Sequence, residues 1–268
     1  MGKVGLIAGE GLLPVIWAKH AQEKGNQVIT IGITPETKSS ELQKHSDQYY
    51  DISVGQLDRI ITTFKEEGIE NTVMLGKVQK TNLYTGLELD ARLMKILHQL
   101  KEKNDDAILL ALVNELEGEG IHILEQTTYM EEFMAQEGNL TPEVEVTPEM
   151  EADIKYGFKM AKEIGRLDIG QTVVVKKNAV IAVEAIEGTD KAILRGGGLA
   201  KGIVVAKVSK PAQDSRFDIP TVGLTTMKNL VQVGADALVV EANKTFFIEQ
   251  EEVLKLAKDN DIAVLAMR

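Results

Sequence analysis

Cysteine is absent from this 268-residue chain, so no disulfide, thiolate nucleophile or iron–sulfur centre can be built, and no redox chemistry points outside the cytoplasm. Histidine is scarce. His20, His45, His98 and His122 all lie in the first half without a close-spaced pair, which leaves no histidine metal motif and no histidine for chemistry in the second half. Aromatics make up 4% of the residues, too few for the stacking platforms of single-stranded nucleic-acid binders. Acids outnumber bases 41 to 30, and the net charge of −11 argues against a nucleic-acid partner held by bulk attraction. No apolar run approaches the ~18 residues of a membrane-spanning helix. The opening MGKVGLIAGEGLLP lacks the basic and long apolar regions of a signal peptide, so the expected location is the cytoplasm. Walker, HExxH and serine-elbow motifs are also missing.

What remains is ordinary globular material, 44% hydrophobic and 26% charged, long enough for one large domain or two smaller ones. Short apolar runs at residues 4–8, 28–31, 72–75 and 121–124 alternate with helical patterns through Trp17 and Ala21, over 57–64, 91–100 and 107–116. Such alternation predicts a parallel sheet covered by helices. Residues 138–148 hold two prolines and no helical period, and are expected to be an extended linker. Thr147-Pro148 is a helix start, followed by Met150, Ile154, Phe158, Ala161 and Gly165 on one face. Strands are expected at 173–175, 180–183, 203–206, 237–240, 246–248 and 263–266, with a turn at Lys177-Asn178. The predicted fold class is therefore α/β: an N-terminal Rossmann-like parallel-sheet domain (1–137), a linker (138–148) and a C-terminal α/β domain (149–268) carrying the main catalytic motifs.

Gly9-Glu10-Gly11, between a strand and a helix, is half of a dinucleotide fingerprint and suits a turn facing a phosphate. Pro14 occupies the third glycine position, and no acid follows Ile31-Gly32-Ile33-Thr34, which argues against an NAD cofactor. Charge is uneven. Residues 1–140 carry 22 acids and 13 bases, whereas residues 170–230 hold nine bases against five acids. An acidic chain that gathers its cations in one segment is equipped to hold an anion there. Within that segment Glu184, Glu187, Asp190, Asp214 and Asp218 offer hard oxygen ligands, suited to Mg2+ or Mn2+ rather than zinc. Lys207, Lys210, Arg195 and Arg216 offer positive charge for phosphate oxygens. Carboxylates with cations are the inventory of phosphoryl transfer; the alternative is a set of surface salt bridges between strand ends.

These motifs resemble those of the LpxI family, the UDP-2,3-diacylglucosamine pyrophosphatases of lipid A biosynthesis. The similarity rests on Ala182-Val183-Glu184-Ala185 with Glu187-Gly188-Thr189-Asp190, then Lys207, Lys210-Pro211, Gln213-Asp214, Arg216, Asp218, Pro220-Thr221 and Gly223. Leu167-Asp168 with Gly170-Gln171, the turn Gly9 to Pro14, Gly76-Lys77-Val78 and Asn104-Asp105-Asp106 extend it across both halves. Departures are Glu10 and Asn104, where the family has glycine, and Ala266-Met267 in place of a glycine-ended tail.

The resemblance implies metal-dependent hydrolysis of UDP-2,3-diacylglucosamine to UMP and 2,3-diacylglucosamine 1-phosphate, with water attacking the phosphorus on the sugar side. It implies catalytic roles for Asp214, Asp218, Lys207, Lys210 and Arg216, and metal ligation by Glu184, Asp190, Asp214 and Asp218. Substrate contacts would come from Gly9, Gly11, Leu12, Lys77, Glu187, Gly188, Thr189, Asp190, Arg195, Gln213 and Thr221. Asp214, in a turn after Pro211, is favoured as the base, while Asp218 could equally be a structural acceptor. The acyl chains would need an apolar trough between the domains, and reaching a lipid substrate implies transient peripheral contact with the cytoplasmic face of the inner membrane. A homodimer is left open. Two rival readings remain: a nucleotide- or nucleotide-sugar-binding protein without hydrolase activity, and a module whose charged loops dock a protein.

Overall fold

The computed structural model describes residues 2–34, 40–78, 89–101, 105–211 and 213–268. Asn104, part of one motif above, lies outside them. The chain divides into two compact units. One comprises residues 1–131 with Ser215–Phe217; the other comprises Glu132–Asp214 and Asp218–Arg268.

The first unit is built on five parallel strands, β1 (Lys3–Ala8), β2 (Gln27–Thr34), β3 (Gln48–Ser53), β4 (Asn71–Leu75) and β5 (His122–Ile123), in the order β3-β2-β1-β4-β5. That is the Rossmann-type order, whose reversal point falls between β1 and β4. Helices α1 (Leu13–Glu23), α2 (Ser40–Lys44), α3 (Leu57–Glu67), α4 (Ala91–Gln99) and α5 (Asp105–Gly118) connect the strands. Ile60, Ile61 and Phe64 of α3, Leu93 and Ile96 of α4, and Val113 and Leu116 of α5 form one apolar cluster with Ile29, Ile31 and Ile33 of β2. Phe217, 4% exposed, joins the same cluster although it is remote in sequence. The strand β3 escaped the sequence reading because Gln48-Tyr49-Tyr50-Asp51 offers no apolar run.

The second unit holds a six-stranded mixed sheet in the order β6-β13-β11-β9-β7-β8. Its strands are β6 (Gly138–Asn139), β7 (Thr172–Lys176), β8 (Ala179–Val183), β9 (Val204–Lys207), β11 (Ala237–Glu241) and β13 (Ala263–Met267); β10 (Thr221–Val222) and β12 (Phe246–Phe247) pair separately. Helix α6 (Pro148–Arg166) packs on one face, burying Ile154 and Ala161 against Val173, Val175, Val204 and Ala206. Helices α7 (Thr189–Leu199), α8 (Leu224–Val233) and α9 (Gln250–Lys258) bury Ile193, Met227, Leu230 and Val253 on the other. The start of α6 follows its sequence signature, with the Thr147 hydroxyl accepting the Met150 N–H at 3.2 Å and Pro148 in the first turn. Buried Asp153 accepts the N–H groups of Lys177 (2.9 Å) and Asn178 (2.6 Å), both at positive φ, and so fixes the β7–β8 hairpin turn. Among the described residues no helix is long and apolar enough to cross a membrane.

Residues 138–148, expected as a linker, are instead built into the second unit. Asn139 and Gly138 pair antiparallel with Leu265 and Ala266, and the Thr141 hydroxyl accepts the Val264 N–H at 2.8 Å. Proline and the lack of a helical period suit an edge segment as well as a tether, and composition alone cannot separate the two.

Candidate active site

One end of the six-stranded sheet gathers most of the polar motifs. Thr172, first in β7, is registered opposite Lys207, last in β9, and Glu184 lies one residue beyond the Val173–Val183 pair. Lys207 Nζ donates to Thr189 Oγ1 at 3.1 Å and to the Thr221 carbonyl at 2.9 Å. Thr189, which opens α7 behind the left-handed Gly188 (φ 83°), donates to Glu184 Oε1 at 2.9 Å and lies 3.3 Å from Thr172 Oγ1. Glu184 Oε2 accepts the Gln171 N–H at 3.3 Å. Gln171 Nε2 donates to Asp218 Oδ2 at 2.8 Å. Lys210 Nζ then binds Asp168 Oδ1 at 2.7 Å and Asp218 Oδ2 at 3.5 Å. The result is one unbroken chain of contacts from Lys207 through Thr189, Glu184, Gln171 and Asp218 to Lys210 and Asp168. Gln171 is its keystone, bonding one acid through the backbone and the other through the side chain. Gly170 is required beside it, since a Cβ there would lie 2.9 Å from the carbonyl carbon of Glu184.

Both aspartates on Lys210 sit at positive φ, Asp168 at 54° and Asp218 at 58°, a region that Asp tolerates better than most side chains. Lys210 itself is only 8% exposed. A buried ammonium needs anionic partners, and these two carboxylates supply them. Asp218 is therefore a partnered acceptor, the structural role that the sequence left open.

Other expected residues have bonding partners outside this network. Arg195 bonds Glu187 Oε1 at 2.6 Å and the Val183 carbonyl at 2.8 Å, bracing the loop after β8. This contact, led by the Arg195 hydrogen bond, holds the Glu187 carboxyl below its usual range. Asp190 accepts from Asn229 on α8 at 2.8 Å. Arg216 belongs to the first unit, where it binds Glu117 of α5 at 2.9 Å, and Ser215 Oγ donates to Glu125. Asp214 is the last residue of the second unit before this excursion, and the Gln213 N–H turns back to the Lys210 carbonyl at 3.1 Å. Among the described residues no group of three or more His, Asp or Glu could hold a metal ion. The expected ligand set of Glu184, Asp190, Asp214 and Asp218 does not converge, because Glu184 is turned to Thr189 and Gln171, Asp190 to Asn229, and Asp218 to Lys210. The donors are chemically suited to magnesium, but they fit an ion carried in on phosphate oxygens and not a preformed protein cage.

In the first unit, Gly9 and Lys77 lie at the ends of β1 and β4, where the strand order reverses. Glu10 and Lys77 exchange two backbone hydrogen bonds of 2.8 Å. A Cβ on Gly9 would lie 2.7 Å from the Lys77 carbonyl oxygen, so this glycine serves the clasp between strands. Gly11 differs: at φ 115° it has open space around it, and Leu12 follows as an N-cap without a side-chain bond. Of the two glycines, Gly9 is held by close packing and Gly11 is open.

Sequence reasoning passed over Asp168, Gln171 and Thr172 as site residues. The available signal was Asp-x-Gly-Gln directly before an apolar strand, which puts polar groups at a sheet end.

Residues 3–133 match the LpxI N-terminal domain and residues 136–265 the LpxI C-terminal domain. The chain belongs to the LpxI family. It is 34% identical over 281 aligned positions to UDP-2,3-diacylglucosamine pyrophosphatase LpxI of Caulobacter vibrioides, covering 100% of this chain and 98% of that one. Among solved structures, N5-carboxyaminoimidazole ribonucleotide synthetase from Thermotoga maritima is 15% identical, with a TM-score of 0.28 over 70% of this chain and 43% of its own. The biotin carboxylase subunit of pyruvate carboxylase is 16% identical, also at 0.28, over 75% and 42%. Scores that low carry no structural argument. The network joins Asp168, Glu184, Thr189, Lys207 and Asp218, which lie in separate segments of the sequence.

Proposed function

We propose that the chain hydrolyses the pyrophosphate of UDP-2,3-diacylglucosamine to UMP and 2,3-diacylglucosamine 1-phosphate. The observation that carries this reading is the unbroken network from Lys207 to Asp168, which sets two lysines and three carboxylates at one sheet end. In the reaction, a carboxylate accepts a proton as water attacks the phosphorus on the sugar side. The new P–O bond forms, the bridging P–O bond breaks, and UMP leaves with the bonding pair. Asp214 is assigned as the base. Lys207 and Lys210 neutralise charge developing on the phosphate oxygens, the electrostatic contribution that usually dominates such steps. Backbone N–H groups at the α7 N-terminus would donate toward the same oxygens.

Two cations against three carboxylates leave the network short of positive charge for an anionic substrate, which is the reason to propose a divalent ion. Magnesium, carried in on the phosphate oxygens and met by Asp214, would supply Lewis-acid charge when bound. Transient contact with a cytoplasmic membrane face is supported by Leu167, Ile169 and Ile186, which are 59, 47 and 87% exposed beside the network.

Thermal protection tests the reading. UDP-sugars with magnesium should raise the melting temperature, and NAD should not. Protection by UDP-sugar without any release of UMP would leave a nucleotide-sugar binder in place of a hydrolase.

A further inference from the structure

A second ionic assembly lies directly behind the first. Glu241, the last residue of β11, is 6% exposed. Its carboxylate accepts from Lys162 Nζ at 2.9 and 2.8 Å and from the Ser209 N–H at 2.9 Å. Lys162, on α6, donates to the Ser209 carbonyl at 2.9 Å. Lys244 approaches the outer oxygen of Glu241 at 3.2 Å. This ion pair, buried at Glu241 and partly exposed at Lys162, thus grips Ser209, itself 2% exposed, by both of its backbone polar groups.

Topology explains why side chains do this. Pairing of β9 with β11 ends at Lys207 opposite Val240, and the Val208 N–H then turns away to the Gln171 carbonyl. From Ser209 onward the strand has left its backbone partner, and the Glu241 carboxylate takes the place of a ladder acceptor. The gripped peptide lies between the two lysines of the network. Lys207 is two residues before it, and Lys210, which orders Asp168 and Asp218, immediately follows.

A buried ion pair is a poor way to gain stability, since an apolar pair of similar volume often serves as well. Its fit to one backbone unit beside the network indicates a different use. We infer that Glu241 and Lys162 are positioning residues of the hydrolytic site, acting through the Ser209 backbone to set Lys210 and, through it, Asp168 and Asp218. The inference rests on the hydrolase reading above and deepens it.

The test uses the full chain and UMP release, with Glu241→Gln, Lys162→Met and Lys162→Arg, each alone and the first two also in a Lys210→Ala background. Displacing a charged group by about 1 Å can cost on the order of a hundredfold in rate. Glu241→Gln and Lys162→Met should therefore lose at least tenfold in kcat while KM stays within about threefold, and Lys162→Arg should recover most of the loss. In the Lys210→Ala background neither change should reduce kcat further, because the group they act through is gone. Undiminished kcat in folded single variants, or full additivity with Lys210→Ala, would overturn the inference. So would failure of both Glu241→Gln and Lys162→Met to fold, which would assign the pair to stability. If only Glu241→Gln fails to fold, the partly exposed Lys162 carries the test. A wild-type chain that releases no UMP removes the hydrolase reading, and this inference with it; an active wild type with unaffected variants removes the inference alone.

Discussion

Replacing Lys210 by methionine removes an ammonium that holds two carboxylates while keeping most of the side chain's apolar stem. At 2.7 and 3.5 Å the two attractions are each of order 5 kcal/mol at an effective dielectric near 20, before desolvation is subtracted. Breaking a fully buried pair typically costs ~3–5 kcal/mol because a charge is left uncompensated. Here Lys210 is 10% exposed at the side chain, but Asp168 and Asp218 are 31 and 41% exposed, so water can replace part of what they lose. A net loss of ~2 kcal/mol is expected, or a fall in Tm of roughly 6–8 °C for a unit of this size. A solvated strand-end lysine would cost at most ~1 kcal/mol. Turnover should fall by about a hundredfold, the usual effect of deleting one electrostatic contact to transition-state charge. Thermal melts and UMP release measured on the same preparation separate the two effects. A Lys210→Met protein that melts like wild type and turns over at the wild-type rate would refute the reasoning on both counts.

Asp214→Ala should retain the wild-type Tm within about 2 °C yet lose most of its turnover, measured by UMP release; full activity would move the base elsewhere. Phe217→Ala, which empties a place in the first unit's apolar cluster, should destabilise by ~3–5 kcal/mol in a denaturant melt, and a loss below ~1 kcal/mol would contradict its burial. Glu119 is held at about 2, well under its usual 4.5, by Lys65 and then Arg92. A depressed carboxyl stabilises the fold above its unfolded value and loses that contribution as pH falls from 4.5 toward 2. The Tm deficit of Glu119→Gln should accordingly be present at neutral pH and shrink across that window; a deficit unchanged in acid would contradict the assignment. Exhaustive EDTA treatment should abolish turnover, and magnesium should restore it.

How far the sequence could be read depended on how local each signal was. Glu184 and Lys207 were legible as strand-end residues because apolar runs of known length end beside them, whereas their meeting with Thr172 is set by strand register. The partners of Arg216 were not legible. Its guanidinium meets Glu117, 99 residues away, and no local pattern announces that pairing. The acidic cluster looked like a metal set because carboxylates in one segment share a composition, whereas their directions are set by Asn229, Gln171 and Lys210 after folding. Gly9 shows the same ambiguity, since a glycine needed for packing against Lys77 is indistinguishable in sequence from one needed by a phosphate. Helices α2, α7, α8 and α9 went unread, α7 because Gly196-Gly197-Gly198 argues against a helix until close packing is known. Gly196 lies on Val174, and Gly197 lies against Val233 of α8.

Hydrolysis of UDP-2,3-diacylglucosamine in ¹⁸O-labelled water, followed by mass spectrometry of both products, tests the central claim most directly. The label should appear in 2,3-diacylglucosamine 1-phosphate and not in UMP, with labelled product formed about a hundredfold more slowly by Lys207→Met and Lys210→Met. Label in UMP would reverse the side of attack, and an absence of both products from the folded wild-type chain with magnesium would contradict the proposed hydrolysis itself.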